Sequence, residues 1–477
     1  MTSQNQSSKT DSARKRFVGA GRANKGKEKE TETEAAIEDS AALVPSNPLS
    51  HPPKKPLQVA NQVPDDILND EALNEAIKML PKNYNFEIHK TVWQIRKHGA
   101  KRVALQFPEG LLLYSLTICD IVERFVGVET VVMGDVTYGA CCIDDFTAKA
   151  LGCDFMVHYG HSCLVPVTVT TIKTLYVFVE ISIDTTHFVE TVRKNFTPGT
   201  PLILVATIQF ISALQSAKRE LDSDYACTIP QARPLSGGEI LGCTSPSLNL
   251  LDDSVILYLG DGRFHLESIM ISNPTLPAFR YDPYPKSFTR EYYDHVQMRK
   301  LRNKAIESVE SIQSSSIPNQ STSSTKPLVG IIIGTLGRQG SPQVLKNLHA
   351  MVPKNVSSVF VLLSEIFADK LKAIGKLGKQ VDAWIQTSCP RLSIDWGHAF
   401  GVALLSPYEA AVAFGKEKGA WREKREAKDG GGEIYPMDFY AKGSRGNWTP
   451  NFVEGALEKE REKAAAKLEA VKKELAT

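Results

Sequence analysis

Short β-rich apolar runs alternate with stretches of helical periodicity along most of the chain, and this alternation constrains the fold more than any other feature. The candidate strands are Arg102–Gln106, Thr130–Met133, Phe155–His158, Leu175–Glu180, Leu202–Thr207, Val255–Leu259, Val329–Gly334, Val359–Leu363 and Ala383–Gln386. Runs of this kind suit strands covered by helices on both faces, and the helical stretches between them supply the crossovers that parallel pairing needs. The pattern predicts an α/β protein built on parallel sheets. A length of 477 residues corresponds to about three domains.

A threefold repetition sharpens this. VALQF leads to YGACC, LILVAT to EILGCT, and VGIIIG to TSCPR, each a buried strand followed later by a turn carrying cysteine. The spacings from Val103 to Cys141 and from Leu202 to Cys243 are nearly equal, 38 and 41 residues, whereas Val329 to Cys389 is 60. The expected organisation is a disordered tail at 1–55, then a first α/β domain at 56–195 with Cys141 and a second at 196–310 with Cys243. A linker or surface insertion at 311–327, a third α/β domain at 328–445 with Cys389 and a charged helical tail at 446–477 complete it.

Lys and Arg number 56 against 54 Asp and Glu, so the net charge of +2 gives no global field for a nucleic acid or an anionic membrane. Residues 1–30 carry 8 basic against 3 acidic side chains, a local excess that reads first as a solvated tail. The longest nearly apolar stretch, Pro201 to Leu214, is broken by Thr207, Gln209 and Ser212 and is too short to span a bilayer. The N-terminus lacks an apolar signal core, so a cytoplasmic location with reduced thiols is expected.

Eight cysteines are too dilute for a disulfide framework. If each repeat is one domain, its cysteine lies beyond a strand's C-terminal end, where open α/β sheets bind ligands. Three thiolates then satisfy three irons of a [4Fe–4S] cluster and leave one iron open. The alternative is that Cys141, Cys243 and Cys389 are ordinary buried residues. No C-x-x-C pair favours zinc. Cys142, beside Cys141, is an ambiguous ligand, and Cys119, Cys153, Cys163 and Cys227 read as core.

The motifs VALQFPEGLL, VVMGDVTYGACCIDD, GGEILGC, YLGDGRFHLES, IIIGTLGRQGSP and QTSCPRLSIDWG extend this reading. Over about residues 90–425 the chain resembles the diphthamide-synthesis enzymes, the 2-(3-amino-3-carboxypropyl)histidine synthases, in their subunit 1 form. The resemblance implies three similar α/β domains around a central [4Fe–4S] cluster held by Cys141, Cys243 and Cys389. It also implies radical cleavage of S-adenosylmethionine at the bond between sulfur and the methionine γ-carbon. The 3-amino-3-carboxypropyl group then passes to C2 of a histidine of translation elongation factor 2. The partners implied are a homologous second subunit, the elongation factor and a small metal-binding electron donor. No catalytic side chain is assigned.

A sulfonium cofactor needs polar contacts at both ends. Two glycine-rich turns after strands are the candidates: Asp261 for a ribose hydroxyl or amine with Arg263 for the carboxylate, and Arg338 with Gln339 for another polar group. His265, Asp144 and Asp145 are weaker candidates, and His158 and His161 read as packed or hydrogen-bonded. A quinolinate-synthase-like enzyme would fit the spacing nearly as well. A non-catalytic iron–sulfur scaffold subunit of the diphthamide complex is a third reading, against which the retention of Cys243 argues.

Overall fold

The computed structural model describes residues 63–134, 139–248, 253–314, 326–376, 380–422, 434–459 and 462. The expected tail at 1–55, most of the 311–327 linker and the far end of the 446–477 segment lie outside them.

Three separate sheets carry the fold, and each is laid down by the same rule. In the first, strands Arg102–Gln106, Glu129–Val132, Phe155–Tyr159 and Lys173–Val177 are all parallel, and the order across the sheet is second, first, third, fourth. Strands Pro201–Ala206, Ala226–Thr228, Val255–Leu259 and Ala278–Asp282 repeat that order in the second sheet, which adds Ser287–Glu291 as an antiparallel edge. Leu328–Gly334, Ser357–Leu363, Ala383–Gln386 and Ala403–Leu405 repeat it again, all parallel. The expected three-domain α/β architecture is therefore observed.

The first strand of each sheet lies inside it, which is why its sequence is the most uniformly apolar: Val103, Ala104 and Leu105 are fully buried, as are Leu202, Leu204 and Val205. Reversal of direction after that strand opens a crevice at the C-terminal ends of the first and third strands. Three such crevices result.

The packing moves two boundaries from where sequence composition suggested. Helix Thr185–Asn195, expected to close the first domain, is capped by Asp184 and buries Phe188, Val189 and Val192 against Leu202 and Leu204 of the second sheet. Helix His295–Ser314, expected in the second domain and its linker, buries Met298, Ile306 and Val309 against Val329 and Ile331 of the third. In both cases an apolar face follows its partner sheet rather than the chain's compositional break. Within that third core Arg302 is buried and paired with buried Glu409, at 2.6 Å, and Glu409 also accepts from Tyr435. The tail expected from 446 begins later, because Trp448 and Thr449 are buried.

Candidate iron–sulfur centre

Cys141 lies in a tight turn, Ala140–Cys142, between the second strand of the first sheet and helix Asp145–Ala150. Buried Gln106, at the end of the first strand, donates to the Cys142 carbonyl at 2.9 Å. From the third sheet the turn after Leu328–Gly334 presses on the same loop, and the Arg338 backbone N–H donates to the Cys141 carbonyl at 3.0 Å. Gly337 has φ +55°, and a Cβ there would stand 2.5 Å from the Cys142 carbonyl carbon, so this approach requires glycine. The Gln339 amide then reaches the Cys141 and Cys142 sulfurs, each at 3.7 Å.

Cys243 follows the second strand of its sheet in a loop pinned on both sides. The Phe439 N–H donates to its carbonyl at 3.3 Å, and Gly242 lies so close to the Phe264 ring that a Cβ would collide with it. Cys389 instead follows the third strand and stands at the N-cap of helix Pro390–Trp396, its carbonyl accepting from Gln386 at 2.7 Å. This explains the longer third spacing in the sequence: the third cysteine sits one strand further along the same topology.

Cys141 and Cys243 pack against one apolar cluster, and Cys389 lies within electrostatic reach of both. Cys141 is held well above the ordinary thiol range, first by its hydrogen bond with Cys142, then by burial, then by Cys243 and Cys389. Burial, followed by Cys389, pushes Cys243 up to about 12. Cys389 is also raised, chiefly by burial. Desolvated thiols that repel one another's charge become stable thiolates only with a cationic group between them. Among the described residues no three His, Cys, Asp or Glu side chains close around a single ion. A lone zinc requires that closure, at about 2.3 Å per thiolate. Three cysteines on three separate loops would each hold one iron of a [4Fe–4S] group, which accepts more widely spaced thiolates than a single ion does.

Arg391 ties the cysteine loops of the second and third sheets together. Its buried guanidinium donates to the Gly242 carbonyl at 3.3 Å, the Phe264 carbonyl at 2.8 Å, Glu267 at 2.5 Å and Asp395 at 2.9 Å, and it covers the Phe264 ring.

Among the described residues, buried polar atoms with no full hydrogen bond include His161 Nδ1, Thr207 Oγ1, Glu239 Oε1, His265 Nδ1, Ser388 Oγ and Tyr440 Oη, although Glu239 has Ser162 and Tyr440 has the Cys141 thiol within reach. A buried polar atom left unsatisfied costs about 1–3 kcal/mol, so those that lie beyond strand ends are available to a polar ligand. Burial first, then His265, lowers His161 to about 4; burial first, then Arg391, does the same to His265. Both imidazoles are neutral near pH 7. Glu239, 1% exposed, accepts from the Ser236 N–H through one oxygen. Burial raises its carboxyl.

Of the side chains expected to meet the cofactor, only Gln339 touches the cysteines. Arg338 makes a bidentate pair with buried Asp145, at 2.7 and 2.6 Å, and covers the Phe146 ring. The guanidinium thereby locks the third-sheet turn to the first-sheet helix. Asp144 caps the same helix. Arg263 pairs with Glu267 and Glu291, and exposed Asp261 accepts from Tyr258 through its backbone carbonyl at 3.3 Å. His158 is buried and bonded to Gln106 at 2.8 Å, as expected of a packed histidine. Of the four cysteines expected in the core, Cys119 and Cys153 are buried, but Cys163 is exposed and Cys227 partly exposed at a three-residue strand. Sequence reasoning missed Arg391, Glu239 and Tyr440.

A threefold repeated α/β fold that turns one cysteine from each repeat to a common centre defines a narrow class of protein. The family model of diphthamide synthesis proteins matches residues 107–426, and the chain belongs to that family. It is 57% identical over 393 residues to 2-(3-amino-3-carboxypropyl)histidine synthase subunit 1 of Nematostella vectensis, covering 82% of this chain and 77% of that one. With the Gallus gallus protein of the same name it shares 54% over 414 residues, covering 86% and 93%. The crystal structure of Dph2 from Pyrococcus horikoshii with a 4Fe-4S cluster superposes with TM-score 0.56 at 22% identity, over 73% of this chain and 94% of that one, a likeness of fold.

Proposed function

We propose that this chain carries out the first step of diphthamide biosynthesis, with a [4Fe–4S] cluster held by Cys141, Cys243 and Cys389 and with S-adenosylmethionine as the donor. The observation that carries the reading is the meeting of three desolvated thiols from three sheets beside unpartnered buried polar groups. A bound cluster would supply the one electron that breaks the bond between sulfur and the γ-carbon to give methylthioadenosine and a 3-amino-3-carboxypropyl radical, and in its oxidised form would take one electron back from the adduct at imidazole C2 of elongation factor 2 as that adduct loses its proton to solvent.

The chain's own residues do the rest. Arg391 and the Gly337 turn hold the cysteine loops in register. Gln339 donates toward the Cys141 sulfur. Glu239 offers a buried carboxylate oxygen to the cationic end of the donor, and neutral His161 and His265 offer hydrogen bonds without adding positive charge near a sulfonium. Asp261, exposed at the mouth of the second crevice, remains a candidate for the ribose.

A homologous second subunit, the elongation factor and a small metal-binding electron donor are the proposed partners, with the cytoplasm as the place of action. No helix among the described residues is long and apolar enough to cross a membrane. The family match disfavours the quinolinate-synthase-like alternative. The scaffold alternative is separated by experiment: with dithionite and the second subunit under anaerobic conditions, the protein should yield methylthioadenosine and a modified histidine. Each Cys→Ala variant should lose cluster iron. Formation of 5′-deoxyadenosine as the main product, or full iron content in all three variants, would refute the proposal.

A further inference from the structure

The segment from Tyr435 to Thr449 lies beyond the family-model match, which ends at 426, yet it returns to the centre of the molecule. Met437 accepts from the Ser245 N–H at 2.8 Å, Asp438 pairs antiparallel with Thr244, and the Tyr440 N–H donates to Thr244 Oγ1 at 3.0 Å. The Asn451 amide holds the Tyr440 carbonyl at 2.9 Å. At its ends the segment is rooted in the third core through Tyr435 and Trp448.

These anchors fix the Tyr440 backbone and make no use of its hydroxyl. Tyr440 is 6% exposed, and its hydroxyl, which makes no hydrogen bond to an oxygen or nitrogen of the protein, interacts with the Cys141 thiol. Tyr440 packs in one apolar cluster with Cys141 and Cys243, and the Cys389 thiol lies within electrostatic reach of it. A phenylalanine would fill the same space against Phe439, Ala140 and Leu235, so packing does not explain the hydroxyl. A phenolic hydroxyl is a hydrogen-bond donor at neutral pH, and this one is held against the cysteine loops by the packing of its ring.

We infer that Tyr440 donates a hydrogen bond to the sulfur of the cluster centre and thereby raises its reduction potential, making it a positioning and tuning residue that this subunit supplies from outside the family core. The inference rests on the reading that the three cysteines hold a cluster. A donor to sulfur stabilises the reduced, more negative state, which is how hydrogen bonds tune such centres.

The test compares the full chain with Tyr440→Phe and Tyr408→Phe after anaerobic reconstitution. The readouts are iron and sulfide content, the electron paramagnetic resonance spectrum of the reduced state and the midpoint potential. Tyr408 is the control, since its hydroxyl already accepts from Trp421 at 3.0 Å. Tyr440→Phe should keep its iron, change the spectrum and become about tenfold harder to reduce, which is about 59 mV for one electron. Tyr408→Phe should match the wild type. An unchanged potential and spectrum in Tyr440→Phe, or an equal shift in Tyr408→Phe, overturns the inference while the cluster reading stands. Absence of a cluster from the wild-type chain overturns both.

Discussion

Substituting methionine for Arg391 should destabilise the chain by about 3 kcal/mol and loosen the cysteine centre together with the fold. The Arg391 side chain is 3% exposed, against 21% for Glu267 and 24% for Asp395. Methionine would leave both carboxylates and the Gly242 and Phe264 carbonyls without the donor they now share. Breaking a buried pair by removing one partner costs about 3–5 kcal/mol. The lower end applies, because both acids reach water and Glu267 keeps Arg263 at 3.4 Å. Burial already raises the Asp395 carboxyl, so protonation gives it a further way to shed charge. A loss of this size is roughly a hundredfold in the folding equilibrium. Urea unfolding followed by circular dichroism should show a lower midpoint at unchanged slope, with Arg391→Lys in between. Iron content should fall in parallel, since Arg391 stands two residues after Cys389 and bonds the residue before Cys243. A loss below about 1 kcal/mol with full iron would show that the cysteine loops hold their register without this bridge.

Replacing Asp145 with asparagine should weaken the lock between the first-sheet helix and the third-sheet turn. Desolvation opposes ionisation of Asp145, but Arg338 and Thr171 outweigh it and hold the carboxyl below its ordinary 3.8. Its contribution is therefore full above 3.8 and lost as pH falls through the lowered value, and the variant's acid-unfolding curve should lack that limb. His161 and His265 act in a different window. Only the unfolded chain takes up their protons between 6.5 and about 4, so stability of the cluster-free protein should fall as pH drops across that range. The double His→Phe variant should flatten the dependence in a pH series of urea midpoints. Gly337→Ala should lower iron content, because the new Cβ meets the Cys142 carbonyl oxygen at 2.6 Å. Unaltered iron in that variant would show that the turn can retreat.

The fold was legible because its central strands are buried on both faces and declare themselves as apolar runs. The outer strands did not: Ala278–Asp282, second from the edge of its sheet, carries Arg280 and Asp282 among its five residues, and the edge strand Ala403–Leu405 is three residues long. Such segments take strand form from their neighbours rather than from their own pattern. The three cysteines stood out through their repetition as a proposed ligand set, and the odd third spacing becomes regular because Cys389 follows a third strand. The supporting residues were less visible. Arg338 beside a glycine turn looks the same in sequence whether its anion is a ligand or Asp145, 193 residues away. Arg391, Glu239 and Tyr440 have meaning only through groups that folding brings to them.

The C-terminal end supplies a test of where the folded unit stops. Composition alone places a charged helical tail from 446 onward, yet Trp448 is 5% exposed and packs in the third core with Tyr408 and Tyr435. Its ring is a large part of what holds the Tyr435–Thr449 segment in place, and truncating a buried tryptophan to alanine costs about 3–5 kcal/mol. Beyond it, Val453 and Glu454 are exposed, and the described residues that follow add nothing to the buried core. A stop after Val453 should therefore leave stability and iron content unchanged, whereas a stop before Tyr435 should lose both, since it removes the pairing with Thr244, the bond to the Cys243 carbonyl and the Tyr435–Glu409 contact together. Trp448→Ala should fall between them, destabilised by several kcal/mol but still able to bind iron when folded. Limited proteolysis and iron analysis of the three variants decide the matter: a stable, iron-replete chain ending before Tyr435 would show that the returning segment decorates the centre without supporting it.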